Sequence, residues 1–181
     1  SNGGTNTTNT AGSGVASNIA FTVFLAPNLS WPRTNGADLD LYVSLDPAIT
    51  NLSEAALTGA LRSVGRGGTE TVILANVREG DIYYAAVKSE DQMAGDFGFF
   101  AVSSDEPFTS TNPEDGTLTA RGYVVPAEIP DGSPDDPQAA LVFAFISQPA
   151  IIQNVTVTNT VSHGNLGDLL GVLEHNQKFS V

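Results

Sequence analysis

The chain has 181 residues, of which 41% are hydrophobic and 15% are charged, so it is long enough and apolar enough to fold around a core. Its 20 acidic and 7 basic residues give a net charge of -13, a field that repels nucleic acid and anionic lipid. Because the sequence also has no run of about 18 apolar residues, we expect neither nucleic-acid partners nor membrane insertion.

The first segment, residues 1–17, is polar and begins SNGGTNTTNTAGSG, which predicts a linker or an N-terminal arm. The chain has no Cys, as expected either for a cytosolic protein without thiols or for a prokaryotic surface protein that avoids disulfide chemistry. The composition favours the second class. We therefore expect an extracellular or cell-surface protein whose secretion leader has been removed.

The next two segments alternate in hydrophobicity with the period of a β-strand. NIAFTVFLA, over 18–26, places four apolar side chains on one face: Ile19, Phe21, Val23 and Leu25. DLDLYVSLD, from Asp38, alternates Leu39, Leu41, Val43 and Leu45 with Asp38, Asp40, Tyr42 and Ser44. The second pattern predicts a half-exposed strand whose carboxylates face solvent.

One helix is predicted, followed by three strands. Asn51 and Glu54 form a candidate capping pair, and Leu57, Ala60, Leu61 and Val64 follow at helical spacing until the glycines at 65–68. ETVILANV and DIYYAAVKS, joined by the turn at Glu79-Gly80, predict an antiparallel pair. FGFFAVSS, from Phe97, predicts a further strand.

The C-terminal third predicts more strands separated by acidic loops. LTARGYVVPA and ALVFAFIS each fit a strand, and IIQNVTVTNTVSH places Val155, Val157 and Val161 on one face and threonines on the other. The last stretch, NLGDLLGVLEHNQKFSV, is expected to pair back as a hairpin. The predicted fold is therefore all-β: an antiparallel β-sandwich, jelly-roll or Ig-like, with one short peripheral helix.

Two stretches resemble known families. DLDLYVSLDP, GTETVILANVREGDIYYAAVKS and GDFGFFAVSS, in this order, resemble the bacterial pre-peptidase C-terminal domain over about half of the chain. IIQNVTVTNTVSHGNLGDLLGVL is similar to the opening of the proprotein-convertase P domain. These resemblances divide the chain after the arm into a sandwich over 18–147 and a P-domain-like hairpin over 148–181, which is incomplete or used for pairing between subunits.

Both resemblances imply a non-catalytic module. The two families are β-sandwiches appended to secreted peptidases and surface proteins, and they lack the catalytic residues of their hosts. In calcium-binding members of the first family, acidic side chains near the Asp-x-Asp strand hold the ion, a role that the resemblance transfers to Asp38 and Asp40. The insertion over 47–68 is longer than the family pattern and leaves the other ligands unassigned.

Three sets of polar and aromatic residues are candidate sites. Asp38 and Asp40 lie two apart on a strand, so their carboxylates share a face, and with Asn35 they suit calcium; the alternative is a solvated strand start. Trp31 and Tyr42 are a candidate sugar-binding patch, although a loop Trp also packs over sandwich ends. His163 and Asp168 come without a nucleophile elbow, so we expect them to close a strand end and expect no enzyme.

The leading functional prediction is self-assembly. If the P-domain-like piece stops at Val181, the hairpin from Ile151 has too little chain to build its own sandwich, which leaves strand edges and an apolar face uncovered. β-strand addition into another copy would form a surface filament or layer, with 155–161 or 19–25 as the donor. The runner-up is an accessory domain of a larger secreted peptidase or surface protein that binds polysaccharide or protein. An enzyme is the third alternative.

Overall fold

A computed structural model describes residues 18–25, 36–133, 135–175 and 179–180. It confirms the all-β prediction: the chain is an antiparallel β-sandwich with one short α-helix and two 3₁₀ turns. The predicted arm over 1–17 lies outside the described residues, as do Trp31 and Asn35.

Two three-stranded sheets form the sandwich. The first sheet has the order β4-β1-β6, with β1 at Asn18–Leu25, β4 at Thr69–Ala75 and β6 at Phe97–Ser104. The second sheet has the order β3-β2-β5, with β2 at Leu39–Ser44, β3 at Leu61–Ser63 and β5 at Tyr84–Ser89. All neighbours are antiparallel, so β1 and β2 are the two central strands.

The main core lies between the two sheets. The alternation predicted from the sequence places every second side chain of β1 and β2 on the inner faces, where they are shielded from water. The buried members of this cluster are Phe21, Val23, Ala37, Leu39, Leu41, Val43 and Val72. Leu45 continues the predicted row but is exposed, because β2 ends at Ser44.

A second, aromatic cluster covers the outer face of the first sheet. Its buried residues are Ala20, Phe108 and Phe145. Aromatic rings from three segments meet around Phe100, whose ring centroid lies 4.8 Å from that of Phe143. Phe24 packs against the same two rings, and a Cβ at Gly98 would clash with its ring, so a larger residue there would displace Phe24. The covering segments include four short strands: β7 at Thr109–Thr111, β8 at Leu118–Ala120, β9 at Gly122–Tyr123 and β10 at Phe143–Ala144.

The outer face of the second sheet is covered by the insertion over 47–60. This insertion comprises a 3₁₀ turn at Pro47–Asn51 and α1 at Glu54–Thr58, and its Ile49 side chain packs with Tyr42 and Ala86. The prediction that this face of β2 is solvent-exposed was therefore wrong. Asp40 is 2% exposed and Tyr42 is 6% exposed, because Ile49 and its neighbours lie above them.

The predicted helix is shorter than its pattern. Ser53, not Asn51, caps α1 by accepting a hydrogen bond from the Ala56 N–H, and the helix ends at Gly59. Leu61 does not continue the helix but lies in β3, opposite Val43 of the central strand. Sheet pairing therefore overrides the helical spacing at the end of this segment.

The predicted pairing of ETVILANV with DIYYAAVKS was also wrong. Both segments form strands, but β4 pairs with β1 and β5 pairs with β2, so the two lie in different sheets. The turn at Glu79-Gly80 exists, with Gly80 at φ +88°. It belongs to a connection over 76–83 that is long enough to cross the roughly 10 Å between two packed sheets.

The C-terminal segments contain less strand than predicted. LTARGYVVPA is broken into β8 and β9, and ALVFAFIS contributes only β10. No strand forms over 151–163; the next elements are a 3₁₀ turn at Leu166–Asp168 and a two-residue ladder between β11 at Glu174–His175 and β12 at Phe179–Ser180. The segment 151–163 pairs with no strand among the described residues, and its residues are exposed.

Candidate functional site

A buried carboxyl–phenol pair occupies the outer face of the second sheet. Asp40 and Tyr42 point the same way from β2, and the Tyr42 hydroxyl donates a hydrogen bond of 3.1 Å to Asp40 Oδ2. Asp40 Oδ1 is also buried and has no hydrogen-bond partner among the residues that the structure describes. Burying a charged carboxylate oxygen without a hydrogen bond costs free energy, so the site disfavours the ionised form of Asp40.

A second buried carboxyl group lies inside the sandwich. Glu70 of β4 is 4% exposed and accepts a hydrogen bond from the Ser63 hydroxyl of β3, which joins the two sheets at this side. Its other oxygen, Oε1, is buried without a hydrogen-bond partner. Glu70 was not a predicted site residue; an acid at an inward position of the alternating strand ETVILANV is the sequence signal that identifies it.

Asp38 holds the start of β2 against a glycine-rich loop. Its Oδ1 accepts a hydrogen bond of 2.8 Å from the Gly67 N–H, and the Leu39 N–H donates to the Gly67 carbonyl at 2.9 Å. The Asp38 N–H donates in turn to Asp91 Oδ2. The carboxylate of Asp38 is therefore used in fixing loop geometry.

Burial shifts the proton affinity of these acids. Loss of solvent raises the pKa of Asp40 above its ordinary value, which its hydrogen bond from Tyr42 partly offsets and the charge of Glu90 increases. Burial likewise raises the pKa of Glu70, against the hydrogen bond from Ser63. In contrast, hydrogen bonds from Ser89 and the Met93 N–H lower the pKa of exposed Asp91.

The structure places the two described residues of the predicted calcium site in different surroundings. Asp38 and Asp40 lie two residues apart at the start of β2, but the first accepts a hydrogen bond from a loop and the second is buried beside Tyr42. Among the described residues, no group of three or more acidic or histidine side chains is arranged to hold a metal ion. Asn35, the third predicted ligand, lies outside the described residues.

The structure describes one of the two residues of the predicted sugar patch, Tyr42. Tyr42 is buried beneath Ile49, so its ring has no face available to stack on a sugar, and this part of the prediction was wrong. The other member, Trp31, lies outside the described residues.

His163 and Asp168 are linked through Asn165. The His163 Nδ1 lies 2.7 Å from the Asn165 carbonyl oxygen, and the Asn165 side chain donates to Asp168 Oδ2 at 2.7 Å. The two side chains are joined only through this bridge, which lies in an exposed turn. An open cavity of about 270 Å³ lies beside β9, away from this turn, and the residues that line it include Ser104, Asp105, Arg121 and Tyr123.

The predicted assembly residues divide into two groups. Ile19, Phe21, Val23 and Leu25 lie on β1, which is hydrogen-bonded on both edges within the chain, and their side chains pack in the main core. β1 therefore has neither a free edge nor a free face to donate. Val155, Val157 and Val161 are each about half exposed, and Ile151 beside them is 94% exposed.

No helix among the described residues has the length and apolar character needed to cross a bilayer.

Comparisons with protein-family models, with curated proteins and with solved structures find no match to the chain.

Proposed function

We propose that this chain is a non-catalytic extracellular structural module that associates with copies of itself by β-strand addition. The observation that carries the proposal is the exposed segment 151–161, a strand-like sequence that forms no strand in the chain. The chain is acidic and has no Cys, and this composition favours a surface protein, which supports the extracellular assignment.

The exposed segment has the two properties that a donor strand requires. Its backbone groups pair with no strand among the described residues, so they are free to complete the ladder of another sheet. Its threonines alternate with a row of three valines and Asn159, so one face becomes largely apolar as soon as the segment is extended against a partner. These valines are about half exposed, and burying them against a partner would favour strand addition.

The net charge of -13 opposes association of identical chains. Residues 151–162, however, carry no charged side chain, so contact through this segment brings no further like charges together. Raising the ionic strength from about 0.01 M to 0.15 M shortens the screening length from roughly 30 Å to 8 Å. Association is therefore expected to strengthen with salt.

Replacing Val155 and Val157 together by Lys is expected to weaken self-association at least about tenfold, because the donor would have to bury two ammonium groups. Sedimentation velocity over a concentration series, with electron microscopy of the largest species, measures the effect. The matched control is L45K/I82K, which adds the same charge at two exposed apolar sites. A wild-type chain that stays monomeric at high concentration and in salt would refute the proposal.

The second candidate is a calcium-stabilised accessory domain that binds a polysaccharide or protein. The buried, unpaired oxygens Asp40 Oδ1 and Glu70 Oε1 favour it, because a cation would supply the missing partner. In this case calcium raises the melting temperature of the wild-type chain relative to chelator, and Asp40→Asn abolishes the increase. Equal melting temperatures in calcium and in chelator would exclude this candidate.

A further inference from the structure

We infer that the acceptor for the donor segment 155–161 of a second copy is the free edge of β6, on the side where Phe97 and Phe99 are exposed. This inference rests on the proposed self-association and specifies its partner surfaces. The observations that carry it are the exposure of one row of β6 side chains, the properties of the other three sheet edges, and the match between β6 and the donor.

β6 presents an uncovered continuation of the main core. Phe99 lies opposite Val23 in the register, and both side chains point toward the inner face of the first sheet. Val23 is fully buried, whereas Phe99 is 43% exposed and Phe97, in the same row, is 50% exposed. The second sheet therefore covers β1 but does not extend over β6, and a strip of apolar surface remains beside its edge.

The three other sheet edges each carry a feature that discourages strand addition. β3 has only three residues, β5 carries Lys88, and β4 turns the carboxyl group of Glu70 inward. Short edges, edge lysines and inward-pointing charges are the means by which native sheets avoid pairing with other chains. β6 has eight residues, FGFFAVSS, with neither a charge nor a proline. Within the part of the chain that the structure describes, it pairs with β1 alone.

The donor segment fits this edge in length, period and charge. VTVTNTV, over 155–161, is nearly as long as β6 and also has no charged residue. Added beside β6, its valine row faces the strip formed by Phe97 and Phe99, and its threonines face the opposite side of the sheet. Two uncharged strands can meet between chains that otherwise repel each other.

The test compares edge variants in the same sedimentation experiment. Phe99→Lys places an ammonium group on the acceptor strip and is expected to weaken self-association at least about tenfold. Leu61→Lys makes the same change at the edge strand β3, where the side chain is 52% exposed, and is expected to alter association less than about twofold. Circular dichroism of both variants verifies that the sandwich is folded.

A cross-linking experiment gives the answer even where F99K does not fold. Because the chain has no Cys, Ala101→Cys on one copy and Val157→Cys on another are the only thiols in a mixture, so each disulfide dimer is either the mixed pair or one of the two homodimers. Oxidation is expected to give the mixed disulfide dimer, whereas Leu61→Cys with Val157→Cys is not. Association with cross-linking at Leu61 instead would overturn the β6 assignment and leave strand addition standing. Absence of any association in the wild type would overturn both.

Discussion

Replacing Ile49 by Ala is expected to lower the free energy of unfolding by about 2–5 kcal/mol, the range for truncating a fully buried aliphatic side chain. Ile49 is 1% exposed and is the central apolar contact between the 47–60 insertion and the outer face of the second sheet. Its loss leaves a cavity above Tyr42 and admits water toward Asp40. Urea unfolding followed by circular dichroism measures the change.

The control for this prediction is Ile82→Ala. Ile82 is the same residue type, but it is 68% exposed in the connection between β4 and β5, so its truncation is expected to cost less than about 0.5 kcal/mol. If I49A and I82A had the same free energy of unfolding, the insertion would not be packed on the sheet, and Asp40 and Tyr42 would not be buried.

Five of the six strands of the sandwich, all except β3, were predictable because their signal is local. The period-two alternation of β1, β2 and β6 states which side chains share a face, and the inner rows of β1 and β2 form the observed core. The pairing of strands was not predictable in the same way. β4 and β5 follow one another in the chain with a turn between them, yet each pairs with a central strand that precedes both.

The candidate site was misread because alternation does not tell which face is covered. Asp40 and Tyr42 have the spacing of a solvent-facing row, and only the distant Ile49 makes them buried. The alternation of ETVILANV places Glu70 in one row with Val72, but the contact of its carboxyl group with Ser63 comes from another sheet and could not be predicted from it. Long-range packing of this kind leaves no periodic trace in the sequence.

The segment 151–163 shows the opposite discrepancy. Valines alternate with threonines over 155–158, yet no strand forms in this segment and no described strand pairs with it. β-propensity measures how well a residue fits a pleated surface with neighbours, so it is expressed only when a partner strand is present. The proposed strand addition supplies that partner.

Between pH 4 and 7, the free energy of unfolding of the wild-type chain is expected to fall as the pH rises. Burial raises the pKa of Asp40 above 3.8 and that of Glu70 above 4.5, so the folded state holds these protons more tightly than the unfolded state does. Their contribution to stability is complete below the ordinary values and is lost as the pH rises through the raised ones. Asp91 and Asp115, whose pKa values are lowered, lose their contribution only at pH below 3.8.

The double variant D40N/E70Q is expected to remove most of this slope and to raise the free energy of unfolding at pH 7 by on the order of 1–3 kcal/mol. Each amide keeps an oxygen that accepts the native hydrogen bond, from Tyr42 or from Ser63, but neither carries a charge to be desolvated. Urea titrations at a series of pH values, in chelator, measure both quantities.

General charge repulsion also weakens as an acidic protein is protonated, so the slope needs a control with the same change of net charge. E79Q/D131N replaces one Glu and one Asp at exposed positions and is expected to reproduce only the repulsive part. If the control flattened the profile as much as D40N/E70Q does, the pH dependence would come from the overall charge of -13. A fall that persists in the control but is abolished in D40N/E70Q would instead locate it in the two buried carboxyl groups.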